Sequence, residues 1–318
     1  MTQQSFIRKR QEDWQELEKI IAGGASRLRK RAAWFPLAFR RISGDLNTAQ
    51  SHGFDPSLID RLNNLTMEGN QLLYGREPLS AAGFINLLFR RFPRAVRKHW
   101  RSFWACFFIF FGLALLSALI CVRFPDFVYE FMSRRDTVSL EEMYNPQAAH
   151  FLEPRNVKGD ADMFGYYIYN NISIAFRSFG GGVIAGIGSL FILAFNGIFV
   201  GVAAAHIINS GYAETFFSFT SGHSAFELTA LVLFAQGGLL LGFRLFFTRG
   251  LSRGASIREA GKTALPIIGG GAFMLVIAAV IEAFWSSRHE IPPPFHFAFG
   301  AVMVFLVSLW LFRAGRKS

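Results

Sequence analysis

Residues 103–122 (FWACFFIFFGLALLSALICV) form a run of 20 without a single charge, and no soluble core asks for that. About 20 apolar residues in a helix match the hydrocarbon thickness of a bilayer. A helix also satisfies its own backbone hydrogen bonds where no water can. The run therefore reads as a membrane-spanning helix, and similar runs recur to the C-terminus. The expected fold is all-α: a polytopic membrane helical bundle of about six spans, preceded by an N-terminal cytoplasmic helical region. The boundary is set at 1–100 for the polar, basic front and 101–318 for the membrane domain.

The front carries three helical patterns. Ser5 can cap a helix with Phe6, Trp14, Leu17, Ile20 and Ile21 on one side, ended by Gly23-Gly24. A second pattern spans 35–50. A third follows Pro56, with Leu58, Leu62, Leu65 and Leu72 at helical spacing. Residues 84–89 then run into Arg90, Arg91, Arg94, Arg97, Lys98 and Arg101. That pairing fits a helix lying in the headgroup layer, or equally a simple juxtamembrane charge cluster.

The formal net charge of +11 would suit a nucleic-acid binder. However, Lys and Arg gather at the ends of apolar runs, where they orient a membrane protein and meet anionic lipid. Membrane lipid is the expected partner, and nucleic acid is not. The polar start (MTQQSFIRKRQEDW) carries no signal peptide. Cys106 and Cys121 would stand about 22 Å apart on one helix, out of disulfide reach, as lipid-facing or packing residues.

The basic flanks set a topology. The cluster before residue 103 stays in the cytoplasm. Residues 123–165 are expected outside, with eight acidic residues against Arg123, Arg134, Arg135, Arg155 and Lys158. The stretch 172–208 is too long for one span, so it reads as a hairpin with its cytoplasmic turn at Asn196-Gly197. Span four covers 225–247, followed by Arg249, Arg253, Arg258 and Lys262. Span five covers 264–285, Pro292-Pro293-Pro294 turns outside, and span six covers 295–312 before Arg313, Arg316 and Lys317. Both termini are then cytoplasmic. Gly182/Gly186, Gly197/Gly201 and Gly238/Gly242 each stand four apart, which suits close helix packing or a subunit interface.

Charges inside the bilayer are expensive and so point to a role. On this topology Arg177, His223, Glu227 and Glu282 share one depth near the outer leaflet. His223 and Glu227 lie four apart on one helix face. Arg177 is expected to pair with Glu227 or Glu282, and His206 to join the layer. Three readings stand open: an interhelical clamp, a polar site in an outward-facing cavity, and catalysis or a metal site. Against the last, HSAFE is not the HExxH of a zinc hydrolase. The Gly180-Gly181-Gly182 run lacks the Lys-Ser/Thr of a phosphate cradle. Arg244 is expected to snorkel to the headgroups.

The stretches NNISIAFRSFGGGVIAGIGSLFILAFNG (170–197), HSAFELTALVLFAQGGLLLG (223–242) and IEAFWS (281–286) resemble the stage II sporulation protein M family. The resemblance covers about 100–312. It rests on NN…AF, FNG, an HG-x-x-EL pattern and a late E-x-F in that order, with Ser224 standing where the family has Gly. The front (FIRKR…WQEL and LNNLTMEGNQLLYG) is similar to the cytoplasmic extension of non-sporulating Gram-negative members.

The resemblance implies Asn170, Asn171, Asn196, His223, Glu227 and Glu282 as motif residues. It further implies a bacterial inner-membrane protein and a scaffold like the sporulating relative, which helps localise peptidoglycan-degrading enzymes. Envelope proteins or a MoxR-type ATPase system are implied as partners. The expectation is a non-enzymatic assembly component without a cofactor, forming a homo-oligomer, most simply a dimer. The alternative is a transporter or lipid-handling permease using the intramembrane polar site.

Overall fold

The computed structural model describes residues 2–23, 28, 31, 33–74, 80–148, 157–248 and 250–316. Gly24 of the first expected helix end, and Arg155, Arg249 and Lys317 of the topology, lie outside the described residues, as does 149–156 of the segment expected outside. Helices make up the fold, and there is no strand among the described residues. Two compact units divide the chain, Met1–Ser80 and Ala81–Ser318.

In the first unit, α1 (Gln3–Ala22), α2 (Phe35–Ser51) and α3 (Pro56–Tyr74) enclose one apolar core. The α1 stripe is Phe6, Trp14, Leu17 and Ile20, all buried. The helix begins before Ser5, with Thr2 at the N-cap and no side-chain cap bond. One polar residue is drawn into this core. Asp45 of α2, 4% exposed, accepts from Trp14 Nε1 at 2.9 Å and from Arg10 Nε at 3.0 Å. Removing such an acceptor strands buried donors, at about 1–3 kcal/mol or more for charged ones. Asp45→Ala should therefore loosen the unit by about 2 kcal/mol, read as roughly 30-fold faster proteolysis within residues 1–80 of the full-length protein. Unchanged cleavage would show that Asp45 only decorates the core.

In the second unit, α4 (Ala81–Asn86), a π turn (Leu87–Arg91) and α5 (Phe92–Lys98) lead into α6 (Trp100–Arg123). Beyond it lie a 3₁₀ turn (Pro125–Glu130), α7 (Arg134–Tyr144), α8 (Val157–Gly180) and a second 3₁₀ turn (Gly181–Val183). Then come α9 (Ile187–Asn209), α10 (Ala213–Phe246), α11 (Arg253–Ile281) with a π turn (Glu282–Ser286), and α12 (Pro293–Arg313). Five of these helices are long and apolar enough to cross a membrane: α6, α9, α10, α11 with its π turn, and α12. The remaining expected span, the first arm of the 172–208 hairpin, corresponds to α8, whose Asp160, Asp162, Asn170, Asn171 and Arg177 keep it more polar.

Contacts fix the directions. Phe110, Ala114 and Ser117 of α6 meet Gly197 and Gly201 of α9 in rising order, so these two helices run parallel. Ser117 Oγ also donates to Ile198 O at 3.1 Å. Phe176 and Phe179 of α8 meet Phe234 and Gly238 of α10, again parallel. Helices α10 and α11 are antiparallel, pairing Gly222 with Ile281 and Gly237 with Ile268. One end of the bundle thus gathers the start of α6, residues 181–186, residues 247–248 and 250–252, and the end of α12. The opposite end gathers 124–148, 210–212 and 287–292.

The hairpin turn differs from the sequence expectation. It sits at 181–186, where Ala185 and Gly186 take φ +51° and +83°, and Asn196-Gly197 lies inside α9. Glycine at 197 is a packing site, not a breaker: a Cβ there would strike the carbonyl of Phe110. The other glycine pairs are used within the chain as well, Gly238 and Gly242 against Phe179, Gly182 and Gly186. Both cysteines are buried and unpaired, so they are packing residues.

The stretch 81–98 packs on the bundle. Phe92 is fully buried over Gly270 of α11, and Trp310 Nε1 of α12 donates to Leu88 O at 3.1 Å. Arg97 donates to Leu311 O and Ala314 O at 2.6 and 2.8 Å, and Arg94 to Gly315 O at 2.7 Å. Part of the basic cluster thus caps the last carbonyls of α12, where cations oppose the helix dipole favourably. The sequence boundary at 100 accordingly moves to 80.

Candidate functional site

Three elements converge at the end opposite the basic cluster. Thr220, His223 and Glu227 occupy one face of α10, by the three- and four-residue spacing of a helix. Across from them α11 relaxes into the Glu282–Ser286 π turn, a widened turn that recurs at functional sites. From α8 comes Asn171.

The ligand-type atoms of His223, Glu227 and Glu282 all lie within 4.8 Å of one another. His223 Nδ1 bonds Ser286 Oγ at 3.0 Å. Its Nε2 is 3.9 Å from Glu227 Oε2. Asn171 stands beside Glu282, and Asn170 Nδ2 donates to Asn171 Oδ1 at 3.1 Å. His223 and Glu282 are buried, 4% and 8% exposed, whereas Glu227 keeps 28% of its side chain accessible. That accessible part borders a cavity of about 770 Å³, between Tyr144 of α7, Phe199 and Ala203 of α9, and His223 and Glu227 of α10.

Tyr144 was not visible as a site residue in the sequence. It is buried, and its ring meets Phe216 at 5.0 Å and Phe219 at 6.0 Å. Phe219 in turn meets His223 edge-on at 5.3 Å. Burial, with Glu282, Tyr167 and Glu227 nearby, pushes the Tyr144 hydroxyl above its ordinary range, so it stays a neutral donor.

The other expected members lie elsewhere. Arg177 is exposed and has no ion pair among the described residues. It lies near the level of Phe234 to Gly238, about 14 Å along α10 from Glu227. The expected pairing with Glu227 or Glu282 is not formed, because the turn at 181–186 carries Arg177 away from the cluster, toward the opposite end. His206 sits 2.8 Å from Glu141 of α7 and is diverted from the layer. Asn196 donates to Ile192 O of its own helix at 2.8 Å. Ser224 donates to Thr220 O at 2.6 Å, so its hydroxyl is absorbed by α10. A second polar pair went unread in the sequence: Asp160 of α8 and Arg288, 2.7 Å apart.

Residues 103–287 match the family model described as stage II sporulation protein M. The chain belongs to the SpoIIM family. It is a multi-pass membrane protein, and the SpoIIM match runs from α6 through the π turn, enclosing the whole polar cluster. Residues 4–75 match a domain of unknown function, DUF8413, which coincides with the N-terminal unit. No curated protein and no solved structure matches the chain.

Proposed function

We propose that this SpoIIM-family protein is a non-enzymatic component of the bacterial inner membrane that assembles with partners in a cell-envelope process. The observation that carries this reading is the two-unit build. A helical unit with its own core precedes a bundle whose glycine seams are spent on internal packing. By the positive-inside rule the end holding Arg94, Arg97, Arg253 and Arg313 faces the cytoplasm, and both termini with it. The N-terminal unit then meets cytoplasmic partners, a MoxR-type ATPase system among them. The 124–148 segment meets envelope proteins, and the exposed apolar faces of α6 and α12 meet lipid or a second copy.

The test is co-purification from native membranes with full-length protein and with a chain lacking residues 1–80. A cytoplasmic partner recovered only with the full chain is the expected result. Equal recovery of the same proteins with both forms would refute the assignment of that unit.

A second reading, a permease, is favoured by one observation: the 770 Å³ cavity reaches His223 and Glu227. It requires Glu227→Gln to abolish solute or lipid movement in proteoliposomes while the partner complex survives. The scaffold reading expects the complex and no movement in either protein.

A further inference from the structure

The polar cluster holds two carboxylates and an imidazole inside an apolar bundle, and no arginine or lysine among the described residues pairs with them. Arg288 is engaged by Asp160, and Arg177 lies about 14 Å along α10 from Glu227. Two like charges this close disfavour each other, and in a membrane interior the penalty grows. A proton shared between them is one remedy and a cation is the other. The donor set favours the cation.

His223 offers one nitrogen for that purpose. Nδ1 is held by Ser286 Oγ at 3.0 Å, which leaves Nε2 turned toward Glu227. The 3.9 Å between them is too long for a hydrogen bond. It is close to the spacing of two ligands of a common ion, since metal–ligand bonds of about 2.0–2.2 Å place tetrahedral neighbours about 3.4 Å apart and opposed ligands about 4.4 Å apart. Closing the whole 4.8 Å group onto one ion asks roughly 0.5–0.8 Å from each side chain, within reach of a rotamer adjustment.

Two further observations point the same way. Glu282 Oε2 is buried without a hydrogen-bond partner, and so is Nδ2 of Asn171, a side chain 6% exposed that stands against Glu282. Ligating residues are commonly steadied by such outer partners. Here Ser286 would orient His223, and Asn171 would orient Glu282. The cavity beside His223 and Glu227 supplies the entry path that a metal site needs.

We propose that His223, Glu227 and Glu282 bind one divalent transition-metal ion of the zinc or manganese class, joining α10 to the π turn that ends α11. One imidazole with two carboxylates suits those ions better than magnesium, which favours oxygen ligands and its own water. The HSAFE pattern hides the site because the third ligand comes from another helix, 55 positions beyond Glu227. The inference goes beyond the assembly role and does not depend on it.

The test uses the full-length protein in detergent, stripped with a chelator and titrated separately with ZnCl₂, MnCl₂ and MgCl₂. Bound metal is counted by mass spectrometry and unfolding is followed by tryptophan fluorescence. About one zinc or manganese per chain is expected, with a higher melting temperature and no response to magnesium. Glu282→Gln and His223→Ala should weaken binding at least about tenfold, and Ser286→Ala, which removes only the outer partner, about tenfold. Glu141→Gln, at the His206 contact outside the cluster, should leave binding unchanged.

Cobalt absorption of the wild-type protein provides a readout that survives any misfolded variant: a d–d band should appear, and Glu227→Gln should shift it. No uptake by the stripped wild type overturns the proposal. So does uptake that His223→Ala, Glu282→Gln and Glu141→Gln all leave intact.

Discussion

Gly242→Ala should leave the protein unable to accumulate as a folded, monodisperse species, and it is the single methyl expected to do most damage. Gly238 and Gly242 of α10 form a flat seat for residues 179–186. A Cβ on Gly242 would collide with Gly182 O and Gly186 N, and one on Gly238 with Ser189 Oγ and Phe179 O. At Gly242 the obstacles are backbone atoms of a turn already strained through Ala185 at φ +51°. They cannot rotate aside as the tip of a leucine can. Overpacking usually costs about 1–3 kcal/mol and more when the backbone must move. About 3 kcal/mol is expected here, roughly a hundredfold loss in the folded-to-unfolded ratio.

Gly112→Ala is the control, because nothing lies within 4 Å of its added carbon. It should stay within about 0.5 kcal/mol of the parent, as exposed substitutions usually do. Thermal unfolding and gel filtration in one detergent compare the pair. Indistinguishable behaviour of the two variants would mean that the α10 seat is not packed as described.

That seat also explains what the sequence made legible and what it did not. The spans could be read because a charge-free run has one viable structure in lipid, and because basic flanks mark where each run stops. The pairing of His223 with Glu227 followed from helical spacing, and Glu282 joined them from depth alone. Asn196-Gly197 has the local look of a breaker, yet Gly197 is a packing site whose missing side chain seats Phe110. Because the turn sits at 181–186, Arg177 goes with it, away from the cluster and toward the other end.

His206 was lost for a different reason. Its partner Glu141 belongs to a helix 65 positions earlier, in a segment whose acidic balance marks it only as external. Tyr144 and Ser286 were hidden in the same way, one by long-range folding of α7 and the other by a π turn that no periodicity announces. Depth along a span can be read locally, whereas partners across the bundle cannot.

Arg288→Ala should produce the second large loss, because it strips a buried carboxylate of the one cation that pairs with it among the described residues. Asp160 keeps 1% of its side chain exposed, and Arg288 Nη2 lies 2.7 Å from its Oδ2. The position in the first turn of α8 helps Asp160, since the N-terminal dipole favours a negative charge there. That help is small beside the charge partner. Breaking a buried pair from one side costs about 3–5 kcal/mol. The lower end, about 3 kcal/mol, is expected because Arg288 leaves 35% of its side chain in solvent.

Asp160→Ala with Arg288→Ala together should recover much of that loss, since the uncompensated charge is gone. A coupling of about 2 kcal/mol is expected from the double-mutant cycle. Arg288 is two positions beyond Ser286, so the pair also anchors the π turn that carries Glu282 and the His223 partner. Hydrogen exchange should therefore quicken at 282–288 and at 160–171 in Arg288→Ala, while residues 1–80 stay unchanged. Additive single mutants with no change at 282–288 would reduce Asp160–Arg288 to a surface contact and remove the anchor that this arrangement gives the polar cluster.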